Sequence, residues 1–369
     1  MKSNCFSVII AGGKGTRFWP LSRSQKPKQL LKIFGPKSLI AETVDRVLPL
    51  SGAARTLVVT IADQLAATRK ELRALPKNNF LVEPQGKNTA ACLGLAALEV
   101  IRRDPQAVMI VLPADHWVPG AKVFRRTLEK AIRLAELDDK LITIGIQPTY
   151  PETGYGYIVR GKSLNGKGTG YQVKKFTEKP KLPKAQRLMR AGALWNSGIF
   201  VWKAATLLKS IEQHMPELNR ALNRIAEAAR GKSLANPEPR LRKVIAAEYA
   251  KLKSTSIDFG VMEPASGEQR VLTVNADFAW SDLGSWESVH RMLDRDGAGN
   301  AGSGQWLVRD AQNCLVHAPD RLVVLLGVKD AVIVDTPDAL LVGDLRRSQE
   351  VRELVEELHK KGYGSYTIK

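Results

Sequence analysis

Short unbroken apolar runs alternate with longer stretches whose apolar positions recur at helical spacing. Residues 6–11, 56–61, 80–82, 108–112 and 141–146 read as strands, and residues 38–48, 62–74, 89–103 and 122–137 read as helices. A strand that is apolar at every position needs cover on both faces, so the pattern predicts a mainly parallel sheet between helical layers. Ligands of such sheets bind beyond the carboxyl ends of the strands, which makes the residues just past each run the first candidates for chemistry. Residues 203–253 look helical and polar and are expected to form an insertion or lid. A Gly-rich stretch, 296–304, contains a G-x-G-x-x-G match, but it follows a helical pattern rather than a strand and is read as a linker. Closely spaced β segments broken by Gly327 and Pro337 come next. An amphipathic helix with Val351, Leu354, Val355 and Leu358 on one stripe ends the chain. That last block is too small to bury much alone and should pack against the main domain or a second subunit.

The composition, 44% hydrophobic and 25% charged over 369 residues, is that of a globular protein. Cys5, Cys92 and Cys314 lie far apart with no CxxC pair, which argues against a disulfide framework or a zinc site. The apolar run before Gly12 is too short for a signal peptide, and none approaches the ~20 residues of a membrane span. A cytoplasmic setting is expected. The net charge of +19 could serve nucleic acid, an anionic membrane or phosphorylated small molecules. The basic residues are spread rather than blocked, and aromatics make up only 6%, so no stacking platform is visible. Neither nucleic acid nor membrane is expected as a partner. Phosphorylated substrates are.

The first strand runs into Gly12, Gly13, Lys14, Gly15, Thr16 and Arg17, then Arg23 and Lys28. Three glycines let backbone N–H groups approach phosphate oxygens, and the cations add charge to the same cradle. No Gly-Lys-Ser/Thr closes it, so it is not a Walker A loop. After the third run comes Glu83-Pro-Gln-Gly-Lys-Asn88-Thr-Ala. Guanine presents two adjacent donors, and the Glu83 carboxylate could accept both; alternatively Glu83 is an acid at the start of the next helix. After the fourth run comes Pro113-Ala-Asp115-His116. Asp115 suits Mg2+ held by one or two carboxylates and substrate phosphates, with a turn-capping aspartate as the alternative. Farther on lie Glu152-Thr-Gly154-Tyr-Gly-Tyr, Phe176-Thr-Glu178-Lys179-Pro, Trp195-Asn196-Ser-Gly, Ser256-Ile-Asp258-Phe259 and Trp280-Ser-Asp282-Leu-Gly. Glu178 and Asn196 could read sugar hydroxyls, Gly154 could let the backbone approach closely, and Lys179 could meet a phosphate. Asp258 could touch the sugar or brace the pocket.

The loop GGKGTRFWPLSR with the following PKQ resembles the sugar-nucleotide pyrophosphorylases, and its Trp-Pro-Leu-Ser-Arg form resembles the mannose-1-phosphate guanylyltransferases. The resemblance covers roughly residues 5–345. It implies a Rossmann-like nucleotidyltransferase domain over 1–295, a linker over 296–304, and a β-rich, β-helix-like assembly domain over 305–369 ending in a helix. Lys87 stands where the family often has Arg, Cys92 where Pro is common, and Phe259 where Tyr is usual. The implied reaction joins GTP and a sugar 1-phosphate, mannose 1-phosphate first and manno-heptose or fucose phosphates after it, giving a GDP-sugar and pyrophosphate. A silent nucleotide-sugar sensor is the alternative on the same fold. The resemblance places Gly12, Gly13, Gly15, Thr16, Glu83 and Asn88 at the nucleotide, and Gly154, Glu178, Asn196 and Asp258 at the sugar. Asp115 and Asp282 fall to Mg2+, and Arg17, Lys28 and Lys179 to the reacting phosphates. It also implies a single-function form without an isomerase domain, and a homodimer is expected.

Overall fold

The structure, a computed structural model, describes residues 4–13, 15–164 and 170–368. Lys14 of the glycine loop lies outside the described residues. Nine strands form the large sheet: β1 (Cys5–Ala11), β2 (Thr56–Ile61), β3 (Phe80–Glu83), β4 (Val108–Pro113), β5 (Leu141–Ile146), β6 (Tyr157–Ser163), β7 (Tyr171–Thr177), β8 (Leu194–Lys203) and β9 (Val271–Asn275). Their order is β3-β2-β1-β4-β8-β5-β9-β7-β6. Strands β3, β2, β1 and β4 are mutually parallel, whereas β8 enters antiparallel between β4 and β5.

Alternation explains the unbroken apolar runs. Phe6 and Val8 of β1 and Met109 and Val111 of β4 face one core, while Ile9 and Ala11, Ile110 and Leu112 face another. Helices Leu39–Ser51 and Ala121–Leu137 cover the second core through Ile40, Val44, Phe124 and Leu128. The first is covered by Asn88–Arg103 and by three helices from the expected lid, Ala204–His214, Pro216–Ala229 and Pro239–Lys251. Those three bury Leu207, Ile211, Leu222, Ile225 and Tyr249 in the main core. At ~1.5–3 kcal/mol per buried side chain, they form a permanent layer and not a lid.

Four further strands make a small sheet in sequential order: β10 (Ala301–Arg309), β11 (Leu315–Leu326), β12 (Ala331–Asp335) and β13 (Leu340–Asp344). Strands β10, β11 and β12 are parallel with short connections, the stacking of a β-helix. Strand β10 begins at Ala301, so the stretch read as a linker over 296–304 already enters the sheet. A shared core joins the two parts: Phe18, Leu31, Leu39 and Trp286 pack with Leu315, Val332, Val334, Leu345 and Val351. On the terminal helix Val351–Lys360 only Val351 and Val355 are buried, whereas Leu354 of the expected stripe is 43% exposed.

Candidate active site

The chain leaves β1 in a loop held from below. Buried Gln29 donates to the carbonyls of Ala11 and Gly13 and to Gln64, and Gln64 donates to the carbonyl of Gly13. Gly15 has φ 63°, and a Cβ there would lie 2.3 Å from Lys28 Cβ and 2.7 Å from its backbone nitrogen. Only glycine lets the loop close onto Lys28. Lys28 is itself buried; its Nζ donates to Asp115 Oδ2 at 2.8 Å and to the main-chain carbonyl of Asp282. Burial works to raise the Asp115 carboxyl, but the Lys28 ammonium, His116 and hydrogen bonds together hold the group below its usual range. Tyr155 donates its hydroxyl to Asp282 Oδ1. Trp280 donates to His116 Nδ1 at 3.1 Å, and burial pushes the His116 imidazole down to about 4, so it stays neutral.

The Asp115 carboxylate and the Asp282 main chain meet one ammonium, and both residues line one cavity of about 860 Å³, together with Gly15, Thr16 and Arg17. Among the described residues no third carboxylate, histidine or cysteine joins them as a ligand set. Two hard oxygen donors with room for phosphates fit magnesium, which keeps waters and substrate oxygens in its shell. Arg17 is exposed at the cavity's edge, and no hydrogen bond or ion pair is found for it among the described residues.

A second cavity, about 310 Å³, is lined by Gly12, Gly13, Glu83, Asn88, Cys92 and Asp115. Glu83 is 4% exposed, and its Oε1 has no hydrogen-bond partner. Burial raises its carboxyl to about 7. The helix that follows has its N-cap at Lys87 and no acid in its first turn, so Glu83 is not a helix-start acid. Asn88 opens that helix at φ 67°, with its Oδ1 accepting from the Thr89 N–H at 2.8 Å.

The third cluster lies at the start of β8. Asn196 accepts from Thr143 Oγ1 at 2.8 Å and donates from Nδ2 to Asp258 Oδ1 at 2.7 Å. Lys179 Nζ stands 3.3 Å from Glu178 Oε1, whereas buried Glu178 Oε2 has no partner. Burial first, then the charge of Asp258, raise Glu178 to about 7 against the opposing pull of Lys179. Asp258 is raised by burial and held partly down by Asn196.

Gly154 is exposed and its N–H binds Glu152, while at Gly156 a Cβ would lie 2.5 Å from Glu178 Oε2. Arg23 lines the same cavity as Arg17 and Lys28, with its guanidinium paired to Asp338 of the small sheet at 2.8 Å. Gln64, Tyr155 and Trp280 escape sequence reasoning as supports, although Tyr155 stands inside the Glu-Thr-Gly-Tyr-Gly-Tyr segment and Trp280 close to Asp282.

The family model described as nucleotidyl transferase matches residues 6–297, and that described as MannoseP isomerase/GMP-like beta-helix domain matches residues 304–358. Mannose-1-phosphate guanylyltransferases of Klebsiella pneumoniae and Escherichia coli are each 36% identical over 365 residues, spanning 97% of this chain and 75% of each relative. A crystal structure from Thermus thermophilus, described as a mannose-1-phosphate geranyltransferase, matches with a TM-score of 0.86 at 34% identity, covering 97% of this chain and 100% of that one. No helix among the described residues is long and apolar enough to cross a membrane. With the first model covering most of the chain and relatives 36% identical along nearly all of it, the chain belongs to the nucleotidyl transferase family.

Proposed function

We propose that the chain transfers GMP from GTP to a sugar 1-phosphate, mannose 1-phosphate foremost, releasing pyrophosphate and a GDP-sugar. One observation carries the base assignment: a buried glutamate with an orphan oxygen faces a cavity between the glycine loop and the helix at Asn88. An unpaired buried acceptor costs free energy, and the N1–H and N2–H of guanine would satisfy it. The names of the relatives support guanine and mannose 1-phosphate together.

The nucleophile needs no base from the protein, because a phosphate monoester with second pKa of about 6 is already largely dianionic at neutral pH. Neutral His116 and the raised Tyr155 hydroxyl hold Asp282 and its surroundings in place and move no proton. Asp115 and Asp282 would hold magnesium, which when bound neutralises phosphate charge and polarises the α-phosphorus. The glycine loop cradles the triphosphate, Arg17 meets its negative charge, and Glu178, Asn196 and Asp258 orient the sugar hydroxyls while Lys179 aligns the attacking phosphate. A homodimer belongs to this reading, with the exposed Leu307 and Val324, paired across β10 and β11, turned toward a second copy.

Pyrophosphate release from a panel of nucleoside triphosphates against sugar 1-phosphates tests the reading, which fails if GTP is no better than ATP or UTP. Asp115→Asn and Asp282→Asn should each remove most turnover, and the double variant should lose little more than either alone. Additive losses would separate the two aspartates.

A further inference from the structure

The cavity that holds Asp115 and Asp282 is larger than an ion and its waters require, and its far side belongs to the C-terminal segment. Arg352, Val355, Glu356 and His359 of the helix Val351–Lys360 face the glycine loop across it. Residues 19–25 of that loop are fastened to the same segment. Trp19 Nε1 donates to the Tyr366 carbonyl at 2.9 Å, and the N–H groups of Ser24 and Gln25 donate to the carbonyls of Thr367 and Ile368 at 3.0 and 3.2 Å. Glu178, Lys179 and Asn196 do not line this cavity, so the expected sugar-phosphate side and the C-terminal side are distinct. In-line displacement sends the leaving group away from the nucleophile.

We propose that the C-terminal helix is the outer wall of the nucleotide site and that Arg352 binds the outer phosphates of the nucleoside triphosphate and the pyrophosphate derived from them. The inference rests on the nucleotidyl-transfer reading above. The loop's own buried cations are engaged, Arg23 by Asp338 and Lys28 by Asp115. Among the described residues Arg352 pairs only with Glu356, at 3.4 Å, with side chains 62% and 58% exposed. A surface pair of this kind binds weakly and yields to a phosphate, for which the guanidinium fork is well shaped. The carboxylates of Glu356 and Asp63 border the same space and limit how much anion it can attract without Arg352.

Calorimetry with inorganic pyrophosphate, GTP and GMP on the full chain decides the matter. Arg352→Ala should weaken pyrophosphate and GTP about tenfold and leave GMP within about twofold, as loss of one charge-assisted contact requires. Arg352→Lys should recover part of the loss. Unchanged pyrophosphate binding in Arg352→Ala overturns the proposal, as does an equal loss for GMP, which would place the effect in the fold. If wild type binds GTP with guanine preference and Arg352→Ala changes nothing, the wall assignment alone fails. If pyrophosphate binding depends on Arg352 but no base is preferred, the guanine reading fails and the wall stands.

Discussion

Glu83 and Glu178 are both buried, each keeps one oxygen without a hydrogen-bond partner, and each carboxyl is raised to about 7. Their surroundings differ. Glu83 stands without a cation; burial raises it, and the Tyr249 hydroxyl and the Cys92 thiol beside it pull it only partly back. Glu178 sits between a second carboxylate, Asp258, and an ammonium, Lys179, so burial and repulsion raise it while attraction restrains it. A buried acceptor with an orphan oxygen and no cation discriminates, because a ligand must bring the right donors or leave that oxygen desolvated. A carboxylate within a polar cluster orients, because its neighbours share the load.

Glu83→Gln should therefore give the largest effect in this pair. Replacing two charge-assisted acceptor bonds should lower kcat/KM for GTP about 100-fold and narrow the gap to ATP, with the KM for sugar 1-phosphate unchanged. Steady-state kinetics with the three nucleotides reads this, and intact GTP preference would assign base recognition to Asn88 and the backbone. Glu178→Gln is expected to act on the other substrate, raising the KM for sugar 1-phosphate about tenfold with nucleotide preference kept. A change in preference would merge the two sites.

The gentlest lever is pH. GTP needs Glu83 ionised, so affinity measured between pH 6 and 8 should rise with pH, by up to about tenfold, and Glu83→Gln should flatten the curve. Stability of the ligand-free chain moves the opposite way. Both carboxyls have folded values near 7 against the ordinary 4.5 of a glutamate, so the stabilisation of their neutral forms is complete below about 4.5 and is lost as pH climbs toward 7. Melting curves across that window should fall for wild type and fall less for either Gln variant.

Much of this was legible in the chain. The run at 6–11 announced a strand because residues facing both cores must be apolar, and the acids past β3 and β4 stood where a parallel sheet puts its chemistry. The insertion of β8 between β4 and β5 was not legible, since local pattern carries no strand order. Nor was the crowding at Gly156, because it depends on Glu178 and Asn196 arriving from elsewhere. Arg23 looked like its neighbours in the loop, and its pairing with Asp338, 315 positions away, was not legible. Residues 203–253 misled through their exposed polar faces, although the buried stripe at Leu218, Leu222 and Ile225 already had core spacing.

Lys28 gives the centre of the site a resident counterion. Its ammonium reaches the Asp115 carboxylate and the Asp282 carbonyl from a buried position, so the ligand-free pocket does not confront an uncompensated negative charge at Asp115. On the proposed reading, the divalent ion can then arrive with one nucleotide and depart with its product without loosening the architecture. The metal would be freight, loaded and discharged at each turnover, and the lysine the ballast that keeps the hold in trim between voyages.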